Sequence, residues 1–184
     1  MSETKKFYPD TFETERLILR CIQKQDAADL YEYAGDAETT KFVTWATYKS
    51  IDDAPPFINY IVEKFSAGAR MDYAIVLKEN NKMIGTGGIV VLSLPHFVEL
   101  GYIINKKYWG RGLVVEAMKV IMEFLFKNKL VHRIQATHMF GNENSGRVMQ
   151  KLGMEYEGYS KDKFYKNGKY ITLKHYAVLN PYDN

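Results

Sequence analysis

Cysteine is nearly absent: Cys21 is the single one in 184 residues. No internal disulfide and no cysteine-built metal cluster can form, which fits a reducing compartment and makes the cytoplasm the expected location. An excess of one charge is also missing, since 25 Lys and Arg stand against 22 Asp and Glu for a net charge of +3. A nucleic-acid partner that needs a concentrated basic field is therefore not expected. Long apolar runs are lacking too. The least polar stretch, residues 83–104, is broken by Pro95, His96 and Glu99. It reads as two strands and a turn, because a membrane-spanning helix needs about 20 apolar residues. The opening MSETKKFYPD lacks the apolar core of an export signal. No repeat, low-complexity tract or Pro/Gly/Ser linker divides the chain, so one domain is expected over residues 14–180, with residues 1–13 as a flexible arm. A chain of this length can bury roughly 70% of its unfolded surface, and its 46% of hydrophobic residues supply a core.

The order of elements follows from periodicity and from turn residues. Residues 16–22 alternate as a strand, and a helix then carries Ala27, Leu30, Tyr31 and Ala34 inward to a stop near Gly35. Ser50 and Asp53 resemble a capping box, but Pro55 and Pro56 remove amide donors, which places the start of the second helix at Pro56 and its end near Gly68. Strands over residues 73–77, 84–92 and 98–104 form a meander. A helix follows, with Val114, Ala117, Met118, Ile121, Met122 and Leu125 at helical spacing. Residues 132–139 read as a further strand, residues 141–145 as a loop with cap residues, and residues 147–152 as a short helix ended by Gly153. Asn167 and Gly168, set between alternating aromatic runs, mark the turn of a final hairpin.

The informative unit is strand, glycine turn, helix: Glu99, Leu100, Gly101, Tyr102, Ile103 and Ile104, then Trp109, Gly110, Arg111, Gly112, Leu113, Val114 and Val115. A helix start leaves amide donors unpaired and carries partial positive charge, and glycine lets an anion approach the backbone. The unit reads as a phosphate cradle. It is not a Walker A loop, which needs Gly-Lys-Ser/Thr, and Val115 stands where a dinucleotide fingerprint has its last glycine. A tight strand-to-helix turn without a ligand explains the same glycines.

Tyr-Trp-Gly-Arg-Gly-x-x-x-Glu-Ala at 108–117, Asn-Glu-Asn-Ser at 142–145 and Lys-Leu-Gly-Met at 151–154 resemble the GNAT N-acetyltransferase superfamily. Thr14-Glu15-Arg16-Leu17, residues 36–41 and Trp45 are similar to the opening of its RimJ/RimL-like branch, which acetylates ribosomal-protein N-termini. The resemblance covers residues 13–180. It implies an α/β domain whose mixed, mostly antiparallel sheet is flanked by helices and splayed at residues 98–104 to admit acetyl-CoA.

In site residues, the resemblance implies that the diphosphate motif Gln/Arg-x-x-Gly-x-Gly/Ala falls on Trp109, Gly112 and Val114, with backbone donors from residues 110–115. Tyr102, Ile103 and Ile104 match the strand that pairs with the pantetheine arm. Glu99 matches an acidic position that can take the amine's proton through water, and Asn142 and Ser145 match the Asn-x-x-Ser whose hydroxyl can protonate the thiolate. The phenol acid of many members is missing, because Met149 stands in its place and Met154 replaces the nearby aromatic. Glu99 could equally be a surface carboxylate, and helix capping alone would account for Asn142 and Ser145. Direct transfer of an acetyl group to a primary amine, on a protein N-terminus or a small molecule, is the activity implied.

Other constellations carry less. His132 and His138 would share a strand face about 20 Å apart, and His96 and Glu99 should point oppositely, so no metal is expected. Cys21 reads as an inert thiol. The lysines and aromatics of residues 161–176 could stack on nucleic acid, yet a half-buried hairpin has the same pattern. Trp45 and Tyr159 are candidates to line an acceptor pocket. Two other readings remain: a non-catalytic acyl-CoA-binding domain and a ribosome- or RNA-associated module. The subunit number stays open between monomer and homodimer.

Overall fold

The computed structural model describes residues 8–183. The strands are β1 (Thr11–Glu13), β2 (Leu17–Arg20), β3 (Met71–Leu77), β4 (Met83–Ser93), β5 (Phe97–Ile104), β6 (Arg133–Met139), β7 (Glu155–Lys166) and β8 (Lys169–Leu179). They form one sheet in the order β1-β2-β3-β4-β5-β6-β8-β7. Neighbours are antiparallel except β5 and β6, which run parallel. A parallel pair needs a crossover, and α3 (Leu113–Lys127) supplies it. With α4 (Glu143–Lys151), α3 covers one face through Ala117, Met118, Ile121 and Leu125. On the other face α1 (Ala27–Ala34) and α2 (Ala54–Ser66) pack Leu30, Tyr33, Ile58 and Ile61 against Ala74 and Val76.

Strands β5 and β6 pair only from Phe97 opposite Arg133 to Leu100 opposite Ala136. Past that point β5 keeps only β4, while residues 137–139 keep only β8, so the sheet opens into a wedge. A bulge helps to open it. The β4 register shifts between Ile89 and Val91, opposite Leu100 and Glu99, and a bulge bends its strand. Val90 fills the space beside Gly101 so tightly that a Cβ there would lie 2.7 Å from Val90 Cγ1.

The structure corrects several sequence expectations. Residues 1–7 of the expected arm lie outside the described residues, but residues 8–13 are packed. Tyr8 donates to the Arg70 carbonyl at 2.6 Å, Phe12 packs edge-on to Tyr73, and β1 pairs with β2. Helix α2 begins at Ala54 rather than Pro56, because its prolines sit in the first turn, where no helical acceptor awaits their missing N–H. The Ser50–Asp53 capping box is real and starts a 3-10 turn that leads into it. Helix α4 starts at Glu143, with Asn142 as its cap, and His132 lies just before β6. Cys21 is half-buried and follows β2.

Candidate active site

A cleft of about 720 Å³ occupies the opened wedge. Of the residues read from the sequence, 102–104, 109–110, 112–115, Asn142 and Ser145 line it. Arg111 does not. Its guanidinium sits 5.2 Å from the Tyr108 ring centroid, and its carbonyl accepts from Arg16 at 3.1 Å.

The cradle is set by backbone. Gly110 and Gly112 have φ of 77° and 75°, the left-handed region that glycine enters at little cost. Gly112 is the N-cap of α3 and has no side chain to satisfy the helix amides. The first helical bond runs from Glu116 N–H to Gly112 O at 3.0 Å, so the N–H groups of Leu113, Val114 and Val115 have no helical acceptor. An uncapped helix start opening on a cleft fits a diphosphate. Val114, the bulky departure from the Gly/Ala position, turns its side chain into the core. Trp109 is held by its indole N–H, which donates to Ile104 O at 2.9 Å.

At Asn142 and Ser145 the capping reading is seen directly, and the serine hydroxyl also faces the cleft's lining. Asn142 Oδ1 accepts from Ser145 N–H at 3.4 Å, which is capping. The Ser145 hydroxyl lies 3.0 Å from that of Tyr102, whose phenol also reaches Ser145 O at 3.2 Å. Burial holds the Tyr102 phenol well above its usual pKa, so it stays protonated. Below this turn the buried His138 sits with Nδ1 3.0 Å from Met139 O. Burial lowers its pKa and favours the neutral ring, in which Nδ1 carries the proton and Nε2 is a bare acceptor.

Glu99 lies outside this cleft. It precedes the wedge on β5 and alternates with the buried Val98 and Leu100, so it points away from α3. Its carboxylate accepts from Thr137 Oγ1 at 3.2 Å and Gln135 Nε2 at 3.3 Å. Both donors line a second hollow of about 310 Å³, together with Tyr159, Ser160 and His175.

A family model described as an acetyltransferase (GNAT) domain matches residues 16–155. The chain belongs to the GNAT acetyltransferase family. The [ribosomal protein uS5]-alanine N-acetyltransferase of Escherichia coli (strain K12) is 29% identical over 176 residues, 91% of this chain and 90% of that protein. The "uncharacterized N-acetyltransferase YnaD" of Bacillus subtilis (strain 168) is 30% identical over 166 residues, 90% of this chain and 95% of that one. A crystal structure of a GNAT-family acetyltransferase from Bacillus anthracis matches with a TM-score of 0.81 at 28% identity, covering 92% of this chain and 98% of that one. The protein is thus an acetyl-CoA-dependent acyltransferase of the RimJ/RimL-like branch.

Two features of this GNAT domain escaped the sequence reading. A phenol does stand beside Ser145, that of Tyr102, on a strand 43 residues earlier in the chain. Glu38, Thr39 and residues 41–43 of one loop also line the cleft, and Lys166 holds that loop by donating to the carbonyls of Thr40, Lys41 and Val43 at 3.2, 3.3 and 2.5 Å. Lys166 was legible only as a hairpin lysine. Of the two acceptor-pocket candidates, Tyr159 lines the second hollow, whereas Trp45 packs on Tyr48 beside the α1–α2 core. Among the described residues no group of three His, Cys, Asp or Glu gathers as metal ligands, and no helix is long and apolar enough to cross a membrane.

Proposed function

We propose that this GNAT enzyme acetylates the N-terminal amine of a protein by direct transfer. Acetyl-CoA supplies a thioester carbonyl open to attack, and the chain must grip the cofactor, accept one proton and return another. Gly110 and residues 112–115 grip the diphosphate with backbone amides, and the free edge of residues 102–104 runs beside the pantetheine arm like a neighbouring strand. Glu99 takes a proton from the entering α-ammonium through water, leaving a neutral amine to form the C–N bond. Ser145, hydrogen-bonded to Tyr102, gives a proton to the thiolate as the C–S bond breaks.

The observation that carries this reading is that Glu99 and Tyr102, the hydrogen-bond partner of Ser145, lie on opposite faces of one opened strand. Glu99 and Tyr102 are three residues apart on β5, about 10 Å by strand rise, and point to opposite faces. An amine entering from the Glu99 side and a thioester lying on the Ser145 side meet at the wedge. The uS5-alanine acetyltransferase relative supports a protein acceptor. So does basicity: an α-amine, with a pKa of about 8, is partly neutral at pH 7, whereas a lysine amine, at about 10.4, is almost wholly charged.

Thiol release from acetyl-CoA tests the acceptor. Peptides with a free small first residue should support release, and the same peptides blocked at the N-terminus but carrying lysine should not. Turnover confined to small-molecule amines would overturn the acceptor assignment.

A further inference from the structure

Two sequence motifs have no part in the transfer chemistry above: the Thr-Glu-Arg-Leu of residues 14–17 and the Glu-Ala that closes 108–117. They meet at one carboxylate. Glu116 Oε1 accepts from Thr14 Oγ1 at 2.5 Å and from the Arg16 backbone N–H at 2.9 Å. Its Oε2 accepts from Arg16 Nε at 2.7 Å, with Nη2 at 2.5 Å, so the guanidinium engages it through two nitrogens. The third guanidinium nitrogen, Nη1, donates to Arg111 O at 3.1 Å. That carbonyl lies between the two left-handed glycines of the cradle, and Nη2 is also the atom nearest to where a Gly112 Cβ would stand, at 3.9 Å.

The arrangement places a negative charge in the first turns of α3, directly behind amides suited to an anion. Glu116 stays ionised there: burial opposes this, but the donors from Thr14 and Arg16 outweigh burial and hold its pKa below the usual carboxylate range. Left alone, that carboxylate would repel a diphosphate through partly dehydrated protein. Arg16 cancels it. The Nη1 bond also occupies the Arg111 carbonyl, whose oxygen would otherwise be free to turn toward the anion.

We infer that Arg16 is a positioning residue for the diphosphate end of acetyl-CoA, bracing the glycine turn through the Arg111 carbonyl and neutralising Glu116 beside it. The inference rests on the reading that Gly110 and residues 112–115 hold the diphosphate.

The test compares KM for acetyl-CoA with KM for acetyl-pantetheine, a thioester that ends before the diphosphate, in wild type, Arg16→Met, Arg16→Lys, Glu116→Gln and the Arg16→Met/Glu116→Gln double variant. Arg16→Met should raise KM for acetyl-CoA about tenfold at low salt, with a much smaller rise for acetyl-pantetheine. The double variant should recover the electrostatic part of that loss, because the unpaired carboxylate is gone, and keep the severalfold rise that losing the Nη1 bond causes. A merely structural role does not predict that order. Equal losses on both thioesters, or a double variant no better than Arg16→Met, overturn the inference. If Arg16→Met does not fold, Arg16→Lys decides: it keeps the charge and loses the Nη1 bond, so KM should rise severalfold for acetyl-CoA alone, and no rise overturns the brace. Wild type that fails to prefer acetyl-CoA over acetyl-pantetheine would instead contradict the diphosphate reading itself.

Discussion

The phenol of Tyr102 and the hydroxyl of Ser145 lie 3.0 Å apart at the mouth of the opened sheet, joined across 43 residues of chain. Only Ser145 reads as a proton donor in sequence, yet its hydroxyl is oriented by a group on another element. The pair should act as one unit. Tyr102→Phe, which keeps the ring, should lower kcat about tenfold while KM for acetyl-CoA changes less than about twofold. Adding it to Ser145→Ala should cost little more than Ser145→Ala alone, and strictly additive losses in a double-variant cycle would separate the two groups.

Glu99→Gln should lower kcat/KM for a peptide amine about 10²-fold at neutral pH, with coenzyme A affinity by calorimetry within about twofold of wild type. The deficit should shrink as pH rises past about 8, because the α-amine then loses its proton without help. A deficit that is constant from pH 6 to 9 would remove Glu99 as the base.

Gly146→Ala weighs helix propensity against packing. Alanine favours a helix by about 1 kcal/mol over glycine. The new Cβ would stand 2.9 Å from His138 Nε2 and 3.4 Å from the Tyr176 hydroxyl, both on buried residues. Overpacking of this kind costs about 1–3 kcal/mol, so thermal unfolding should show net destabilisation. In a His138→Ala background the same change should be neutral or stabilising.

How far this could be read from sequence depended on the range of each interaction. The Asn167-Gly168 hairpin turn was legible because backbone conformation is written locally: both residues take the positive φ values, 50° and 79°, that the pair favours, whereas Gly35 ends α1 at φ −82°, a conformation open to any residue. The glycine turn that opens α3 was legible for the same reason, with Gly110 and Gly112 both at positive φ. Tyr8 and Phe12 were not, because isolated aromatics carry no period, and rings more than 50 residues on, Phe65, Tyr73 and Phe124, make them core. The start of α4 was hidden by Asn142, whose cap bond to Ser145 N–H makes the first helical turn look like loop chemistry. The Tyr102–Ser145 pair, the Lys166 clamp and the Arg16–Glu116 brace all join distant segments, and residue spacing encodes none of them.

Acid should expose one structural network selectively. Glu32 on α1 accepts from Lys107 Nζ at 2.8 Å, Lys82 Nζ at 2.7 Å and Asn105 Nδ2 at 3.1 Å. The two lysine bonds bring its pKa down to about 2. A pKa depressed on folding contributes stability that is full above the unfolded value of about 4.3 and is lost as pH falls through the folded one. Glu32→Gln should therefore cost about 1 kcal/mol at pH 7, after allowing for solvent screening. The gap to wild type in denaturant unfolding should close between pH 4.5 and 2, and a gap that widens with acid would reverse the assignment.

Titrating coenzyme A into ¹⁵N-labelled protein while following backbone amide resonances tests the acetyl-CoA site most directly. The amides of Gly110, Gly112, Leu113, Val114 and Val115 should move first and furthest, with Ile103 and Ile104 following along the pantetheine arm. Binding that leaves these amides in place while shifting another surface, or no binding at millimolar coenzyme A, would contradict the cradle and the site built upon it.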